Sequence, residues 1–205
     1  MSLPEGTITC VFTDIEGSTG LLKRLGDQYG DVLRAHRGIV RDTFGSAGGV
    51  EIDTQGDSFF FAFPRAREAV AAAIEVQRAH ARTAWPDEAV VRVRIGLHTG
   101  EPAVGDEGYL GLDVVRAARI CGVGRGGGIL LSATTRALLG SAVPDGVSIS
   151  QTDEQQLKDI DDPELPYELR IDGVDVTPAA QRPAPVVEPG KRARTGRRLQ
   201  GFARA

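Results

Sequence analysis

The chain alternates between short β-branched apolar runs and amphipathic helical stretches, and the order of these segments limits the folds that it can adopt. Apolar residues with a period of two predict strands, and apolar residues with helical spacing predict helices. The segments are a strand at 7–13, a helix at 20–44, strands at 50–55 and 58–63, a helix at 65–82 and a strand at 90–100. This β-α-β-β-α-β order predicts an α+β fold with a ferredoxin-like core and an antiparallel sheet.

Further segments predict α and β elements added to this core. Residues 111–123 have helical spacing, and residues 127–132 (GGILLS) are typical of a strand. Ser132 can cap a short helix at 133–139. Two late apolar runs, at 146–150 and 167–171, predict short strands.

The chain of 205 residues suits one domain with a terminal extension on each side. We predict an N-terminal extension at residues 1–6, a catalytic domain at 7–172, and a disordered Pro/Arg-rich tail at 173–205. The tail carries a net charge of about +5, whereas the remainder carries about −9. Such a tail can contact nucleic acid, anionic lipid or an acidic patch of its own domain, but a solvated tail is the favoured interpretation.

Several classes of protein are excluded by what the sequence lacks. No apolar run approaches the roughly 18 residues of a membrane span, and the first residues lack the basic and apolar regions of an export signal. The sequence therefore predicts a cytoplasmic protein without a membrane segment. Cys10 and Cys121 lie in apolar surroundings without metal-type spacing, and we expect buried free thiols.

The first motif that could take part in catalysis is FTDIEGST at residues 12–19. Here an apolar strand ends in an acidic residue, and a loop of small residues leads into a helix. Asp14 offers the oxygen ligands that hard cations prefer. The backbone amides of Gly17, Ser18 and Thr19 favour phosphate, because the start of a helix carries free N–H groups and positive potential. The alternative is that Asp14 only precedes a turn and that Ser18 or Thr19 caps the helix.

The second motif is Gly56-Asp57, the turn of the predicted hairpin. We expect the first two strands of the core to lie side by side, so that this turn and the end of the first strand converge. Asp14 and Asp57 would then form a two-metal clamp, which activates a hydroxyl nucleophile and stabilises a leaving pyrophosphate. The alternative for Asp57 is an acidic residue of the kind that turns commonly contain.

These two motifs, together with VRVRIGLHTGEP at 91–102 and YLGLDVVRAARI at 109–120, resemble the class III adenylate and guanylate cyclase catalytic domain. The resemblance covers about residues 7–171. It implies a homodimer whose active sites lie at the subunit interface. It also implies that Asp14, the carbonyl of Ile15 and Asp57 hold two divalent ions, Mg²⁺ or Mn²⁺.

The resemblance further implies which residues bind a nucleoside triphosphate. The amides of Gly17, Ser18 and Thr19 would lie near the phosphates. From the partner subunit, Lys158 would bind the triphosphate, and Arg119 would stabilise charge on the transferred α-phosphoryl group. The alternative for both cationic residues is a solvated surface side chain.

Three positions depart from the family pattern. Asp53 stands where family members that use ATP carry a base-selecting Lys, and Gly108 stands where they carry a base-selecting Asp or Thr. Val115 replaces an Asn expected near the ribose, and its side chain cannot donate a hydrogen bond. These departures predict altered or relaxed base choice and slow turnover.

The sequence thus predicts a lyase that converts a nucleoside triphosphate into a 3′,5′-cyclic nucleotide and pyrophosphate. ATP is the default substrate, with GTP and the pyrimidine triphosphates left open. The first alternative is a weak or inactive pseudo-cyclase that signals by binding nucleotide and dimerising. The second alternative is a nucleic-acid-binding protein that acts through its basic tail.

Overall fold

The structure is a computed structural model that describes residues 3–178, with the exception of 107 and 142. The tail was predicted at residues 173–205, and its part from residue 179 onward lies outside the described residues. Any nucleic-acid contact through that part lies outside them as well. The described part contains nine strands: β1 Ile8–Ile15, β2 Val50–Gln55, β3 Ser58–Phe63, β4 Val93–Gly100, β5 Ala103–Gly105, β6 Gly108–Leu110, β7 Ile129–Leu131, β8 Val147–Gln151 and β9 Tyr167–Ile171. Its α-helices are α1 Ser18–Leu25, α2 Tyr29–Ser46, α3 Ala66–Arg82, α4 Leu112–Val123 and α5 Ala133–Leu139.

Seven of the strands form one sheet in the order β2-β3-β1-β4-β7-β9-β8. Neighbouring strands are antiparallel except for β4 and β7, which pair in parallel. The first four strands and their helical connections have the ferredoxin-like order, so the predicted α+β fold is confirmed. β5 and β6 form a separate two-stranded hairpin immediately before α4.

The prediction that the first two strands lie side by side is wrong. β1 lies between β3 and β4, and among the described strands β2 is the edge strand that pairs with β3. The helical connection carries the chain to the edge strand β2, and the tight turn then returns β3 into the space beside β1. Thr13 faces Phe59 in this pairing, so the end of β1 still reaches the hairpin turn, but through β3.

The predicted helix at 20–44 is interrupted. α1 ends at Leu25, a 3₁₀ turn spans Gly26–Gln28, and α2 begins at Tyr29. Gly26 has φ +52° and its N–H donates to the carbonyl of Leu22, so this glycine closes α1 in a conformation that other residues rarely adopt. The predicted cap at α5 is confirmed, because the N–H of Thr135 donates to Ser132 Oγ over 3.2 Å.

β1 is buried on both faces, and this explains its continuous apolar sequence. Val11 and Ile15 belong to the larger apolar core with residues of α2 and α3. Ile8 and Cys10 belong to a second cluster that includes Ala117 of α4. Helices therefore pack against both faces of β1.

The predicted free thiols are confirmed, since Cys10 and Cys121 are both buried and unpaired. Burial raises the pKa of each thiol to about 12, so both are unreactive at neutral pH. Within the described residues, no helix is long and apolar enough to cross a membrane. The boundary between the catalytic domain and the tail at residue 173 stays a prediction. In the described part of the tail, the N–H of Thr177 donates to the carbonyl of Gly126 over 2.9 Å.

Candidate active site

Asp14 and Asp57 meet where β1 ends beside the β2–β3 turn. Ser58 Oγ donates to Asp14 Oδ1 over 3.1 Å. The N–H of Ile15 donates to Asp57 Oδ2 over 3.0 Å. The structure therefore brings together the three residues predicted to hold metal ions, and it does so through hydrogen bonds that orient both carboxylates.

The two carboxylates are close enough to perturb one another. Burial raises the pKa of Asp57, and the negative charge of Asp14 raises it further. Two acidic groups in this arrangement fit a cation, since a positive charge between them would remove the repulsion. Among the described residues, no three or more His, Cys, Asp or Glu side chains form a group that could hold a metal ion by itself. Backbone carbonyls and substrate oxygens would have to complete its coordination.

Arg94 is a third charged residue at this point, and the sequence analysis missed it. Asp14 on β1 faces Arg94 on β4 in the antiparallel register. Arg94 Nε donates to Asp14 Oδ2 over 2.9 Å, and Nη2 contacts the same oxygen. The alternation in VRVRIG places Arg94 on a strand, but only the pairing of β1 with β4 assigns its partner.

The β2–β3 turn, which carries Asp57, is held to α2 by two consecutive residues. Arg37 Nε and Nη2 both donate to the carbonyl of Gly56, over 3.0 and 2.6 Å. His36 Nε2 lies 2.9 Å from the carbonyl oxygen of Asp57. Both carbonyls of the two-residue turn are therefore held from the same helix.

His36 also connects this turn to α3. Its Nδ1 lies 2.9 Å from His80 Nε2, and His80 Nδ1 lies 2.8 Å from the carbonyl oxygen of Val76. Burial lowers the pKa of each histidine to about 4. The chain of contacts runs through the core from α3 to the turn.

The predicted phosphate-binding loop begins with Gly17, which has φ +70° and precedes α1. Its carbonyl accepts the N–H groups of Gly20 and Leu21. Ser18 and Thr19 occupy the first turn of α1, whose amides have no partner within the helix. The structure therefore places these N–H groups directly after the strand that carries Asp14.

The other predicted triphosphate residues lie together in a separate group. Arg119 Nε donates to the carbonyl of Lys158 over 3.1 Å, and Arg119 Nη2 donates to Asp159 Oδ2 over 2.8 Å. In the described part of the chain, no hydrogen bond or ion pair joins this group to Asp14 or Asp57. The chain thus presents the predicted site residues in two separate groups.

Val115, at the predicted ribose position, packs into an apolar cluster. This cluster contains Leu157 and Ile160, which flank Lys158. The side chain of Val115 therefore helps to hold the Lys158 segment against α4. Its apolar character has a packing role that an Asn would fill poorly.

Asp53 and Gly108, at the predicted base-selecting positions, lie on neighbouring elements. The backbone N–H of Thr54 donates to Asp53 Oδ1 over 2.8 Å, and the side-chain Nε2 of Gln55 donates to Asp53 Oδ2 over 3.0 Å. Gly108 has φ +123°, and a Cβ there would lie 2.9 Å from Ile52 Cγ2. The backbone thus excludes a side chain at position 108, and it leaves Asp53 as the polar group of the pair.

Residues 2–169 match the family model described as "Adenylate and Guanylate cyclase catalytic domain". An uncharacterised protein of Mycobacterium tuberculosis is 33% identical over 168 residues, which are 81% of this chain and 56% of the relative. The chain thus spans about half the length of that relative. An adenylate cyclase of Lachancea kluyveri is 32% identical over 154 residues, 63% of this chain and 8% of that protein.

Solved structures show the same fold. A structure from an analysis of Trypanosoma brucei adenylate cyclases in their monomeric state has a TM-score of 0.75 and 26% identity, and the match covers 82% of this chain and 90% of that chain. The adenylyl cyclase CyaB of P. aeruginosa has a TM-score of 0.68 at 21% identity, with coverages of 83% and 96%. The match to the family model extends over most of the chain, and the fold agrees with it. This protein therefore belongs to the adenylate and guanylate cyclase catalytic domain family.

Proposed function

We propose that the protein converts a nucleoside triphosphate into a 3′,5′-cyclic nucleotide and pyrophosphate at a site that holds two divalent ions, Mg²⁺ or Mn²⁺. The observation that carries this proposal is the convergence of Asp14 and Asp57, which Ser58 and the amide of Ile15 orient. The first turn of α1, with the amides of Ser18 and Thr19, follows in the same chain segment. In a member of this family, carboxylates beside phosphate-binding amides fit a metal–triphosphate complex.

The residues of one subunit would bind and orient the triphosphate. Asp14, Asp57 and the carbonyl of Ile15 would hold the cations, which would favour loss of the 3′-hydroxyl proton and neutralise charge on the pyrophosphate. The 3′-oxygen forms a bond to the α-phosphorus, the bond from that phosphorus to the bridging oxygen breaks, and the hydroxyl proton leaves to solvent. Arg94, whose guanidinium contacts Asp14, would add positive charge beside the bound triphosphate.

A homodimer would complete the site, because the Arg119–Lys158 group is separate from the carboxylates within one chain. Arg119 of one subunit would then stabilise the transferred phosphoryl group held by the other. An exposed apolar surface supports this assembly. Val104, Leu110 and Leu112 are 49%, 64% and 67% exposed around the β5–β6 hairpin, and burial against a second copy would remove them from water.

The base-reading positions support an altered choice of nucleobase. Asp53 can only accept hydrogen bonds, and it therefore suits a base edge with N–H donors better than one with ring acceptors. No side chain is present at Gly108 to add a contact. ATP remains the default substrate, and we expect GTP to be used as well.

A turnover assay with each of the four nucleoside triphosphates and Mn²⁺ tests this proposal. We expect a cyclic product and an equal amount of pyrophosphate from at least one triphosphate, and we expect Asp57→Ala to abolish both. Asp42→Ala removes an exposed acid of α2 and serves as the matched control. Absence of cyclic product from every triphosphate would contradict the proposal.

The second candidate is a domain that binds nucleotide without turnover. The packing of Val115 beside the Lys158 segment favours it, because the ribose position then offers no hydrogen-bond donor. This alternative predicts metal-dependent binding of a triphosphate, measured by calorimetry, with no release of pyrophosphate. Detection of a cyclic product would exclude it.

A further inference from the structure

We propose that Arg37, with His36 beside it, is a positioning residue that sets the orientation of the metal-binding carboxylate of Asp57. This inference rests on the proposed function, because it assigns a role at the same metal site. Neither α2 residue touches the Asp57 carboxylate itself. They act on the backbone of the turn that carries it.

The turn that carries Asp57 is short. Gly56 and Asp57 are the only residues between the last residue of β2 and the first of β3, and Gly56 has φ +62°. Glycine adopts this conformation readily, but its backbone is also less restricted than that of any other residue type. The orientation of each peptide plane in the turn then depends on what its carbonyl contacts.

Two consecutive side chains of α2 supply those contacts. The guanidinium of Arg37 donates twice to the carbonyl of Gly56, and His36 Nε2 faces the carbonyl of Asp57 at 2.9 Å. The peptide planes before and after the Asp57 Cα are therefore both fixed, and they determine the direction of its Cα–Cβ bond. The N–H of Ile15 then holds one carboxylate oxygen, which aligns Asp57 with Asp14.

His36 is buried more completely than Arg37, and this difference assigns different tasks to the two residues. His36 is fully buried and is held by His80, so it belongs to the rigid core. Arg37 is half-buried at the edge of α2, and its guanidinium makes charge-assisted hydrogen bonds to the turn. Replacement of Arg37 can therefore loosen the turn without opening the core.

The matched pair of variants is Arg37→Gln and Arg34→Gln. Arg34 lies three residues earlier on α2, lines the same shallow groove, and pairs only with Asp31 among the described contacts. We expect Arg37→Gln to raise the Mn²⁺ concentration for half-saturation by about fivefold to tenfold. Arg34→Gln should leave it unchanged, and Arg37→Lys, which retains a donor, should restore part of the loss.

Mn²⁺ binding is measured by electron paramagnetic resonance with a non-hydrolysable triphosphate, so the readout does not require turnover. Amide hydrogen exchange is measured on the same samples without metal, and the turn at residues 56–58 should exchange faster in Arg37→Gln than in Arg34→Gln. Equal Mn²⁺ affinity in the two variants would overturn the inference. A failure of the unsubstituted protein to bind Mn²⁺ would overturn it as well.

The proposed function and this inference can fail separately. If the original protein binds Mn²⁺ with the triphosphate but yields no cyclic product, cyclase turnover fails while the comparison of Arg37→Gln with Arg34→Gln still decides the positioning role. If product forms and both variants bind Mn²⁺ equally well, cyclase turnover stands and the positioning role fails.

Discussion

Replacement of Asp57 by Asn should stabilise the metal-free protein while removing its response to metal. At neutral pH the ionised carboxylate of Asp57 is destabilising, because burial and the charge of Asp14 both raise its pKa. Asn has the same size, and its amide oxygen can still accept the N–H of Ile15. The substitution therefore removes the repulsion and keeps the hydrogen bond.

The expected gain is modest because Asp57 is only partly buried and solvent screens its charge. We expect the free energy of unfolding to rise by about 1 kcal/mol after allowance for this screening. For a domain of this size, such a gain corresponds to roughly 2–4 °C in Tm. Functional residues commonly reduce stability in this way.

Metal and nucleotide should reverse the order of stability. A ligand that binds only the folded state at about 100 times its Kd adds roughly 2.7 kcal/mol. The original protein should gain this amount from Mn²⁺ with a non-hydrolysable triphosphate, whereas Asp57→Asn should gain little. The two unfolding curves should therefore exchange places between EDTA and saturating ligand.

Urea unfolding followed by circular dichroism measures both conditions on the same preparations. Asp42→Asn on the exposed face of α2 is the control, and it should follow the original protein with and without ligand. Two results would refute the reasoning. One is an Asp57→Asn protein that is less stable than the original in EDTA, and the other is a variant that retains the full stabilisation by Mn²⁺ and triphosphate.

Three further predictions concern other charged groups. Arg94→Gln leaves Asp14 without its guanidinium and should lower the free energy of unfolding in EDTA by about 1–2 kcal/mol in urea titrations. Asp53→Lys replaces an acceptor with a donor and should raise the ratio of kcat/KM for ATP over GTP by about tenfold in steady-state assays. Burial lowers the pKa of His36 and His80 from 6.5 to about 4. Between pH 4 and pH 6.5 the unfolded chain therefore binds more protons than the folded chain. Stability to urea should therefore fall as pH drops from 6.5 to 4, by up to roughly 3 kcal/mol per ring, and His80→Gln should reduce this dependence.

The sequence by itself determined the elements whose signals are local. The period of apolar residues predicted the strands of the large sheet and most of the helical segments, although not the short strands β5 and β6. The two residues between apolar runs predicted the turn at Gly56-Asp57. The cap at Ser132 was also predictable, since it depends on residues within one helical turn. The family was recognisable because its motifs occur in order at their usual spacing. One local signal was missed, the glycine at position 26 that ends α1.

The positions of strands within the sheet could not be read from local patterns. Period and propensity describe one strand at a time, whereas the placement of β3 beside β1 depends on the whole connection between them. The error mattered little for the carboxylates, because Asp57 lies at the turn between β2 and β3. This turn lies close to the end of β1 whether β2 or β3 is the strand that pairs with β1.

Only the tertiary structure decided which groups control the carboxylates. Arg94 reaches Asp14 because β1 and β4 pair in one register, and His36 and Arg37 reach the turn because α2 packs over it. These contacts join residues from about 20 to 80 positions apart, and their geometry follows from packing rather than from any sequence motif. The sequence therefore determined which acids are present, and the fold decided what orients and neutralises them.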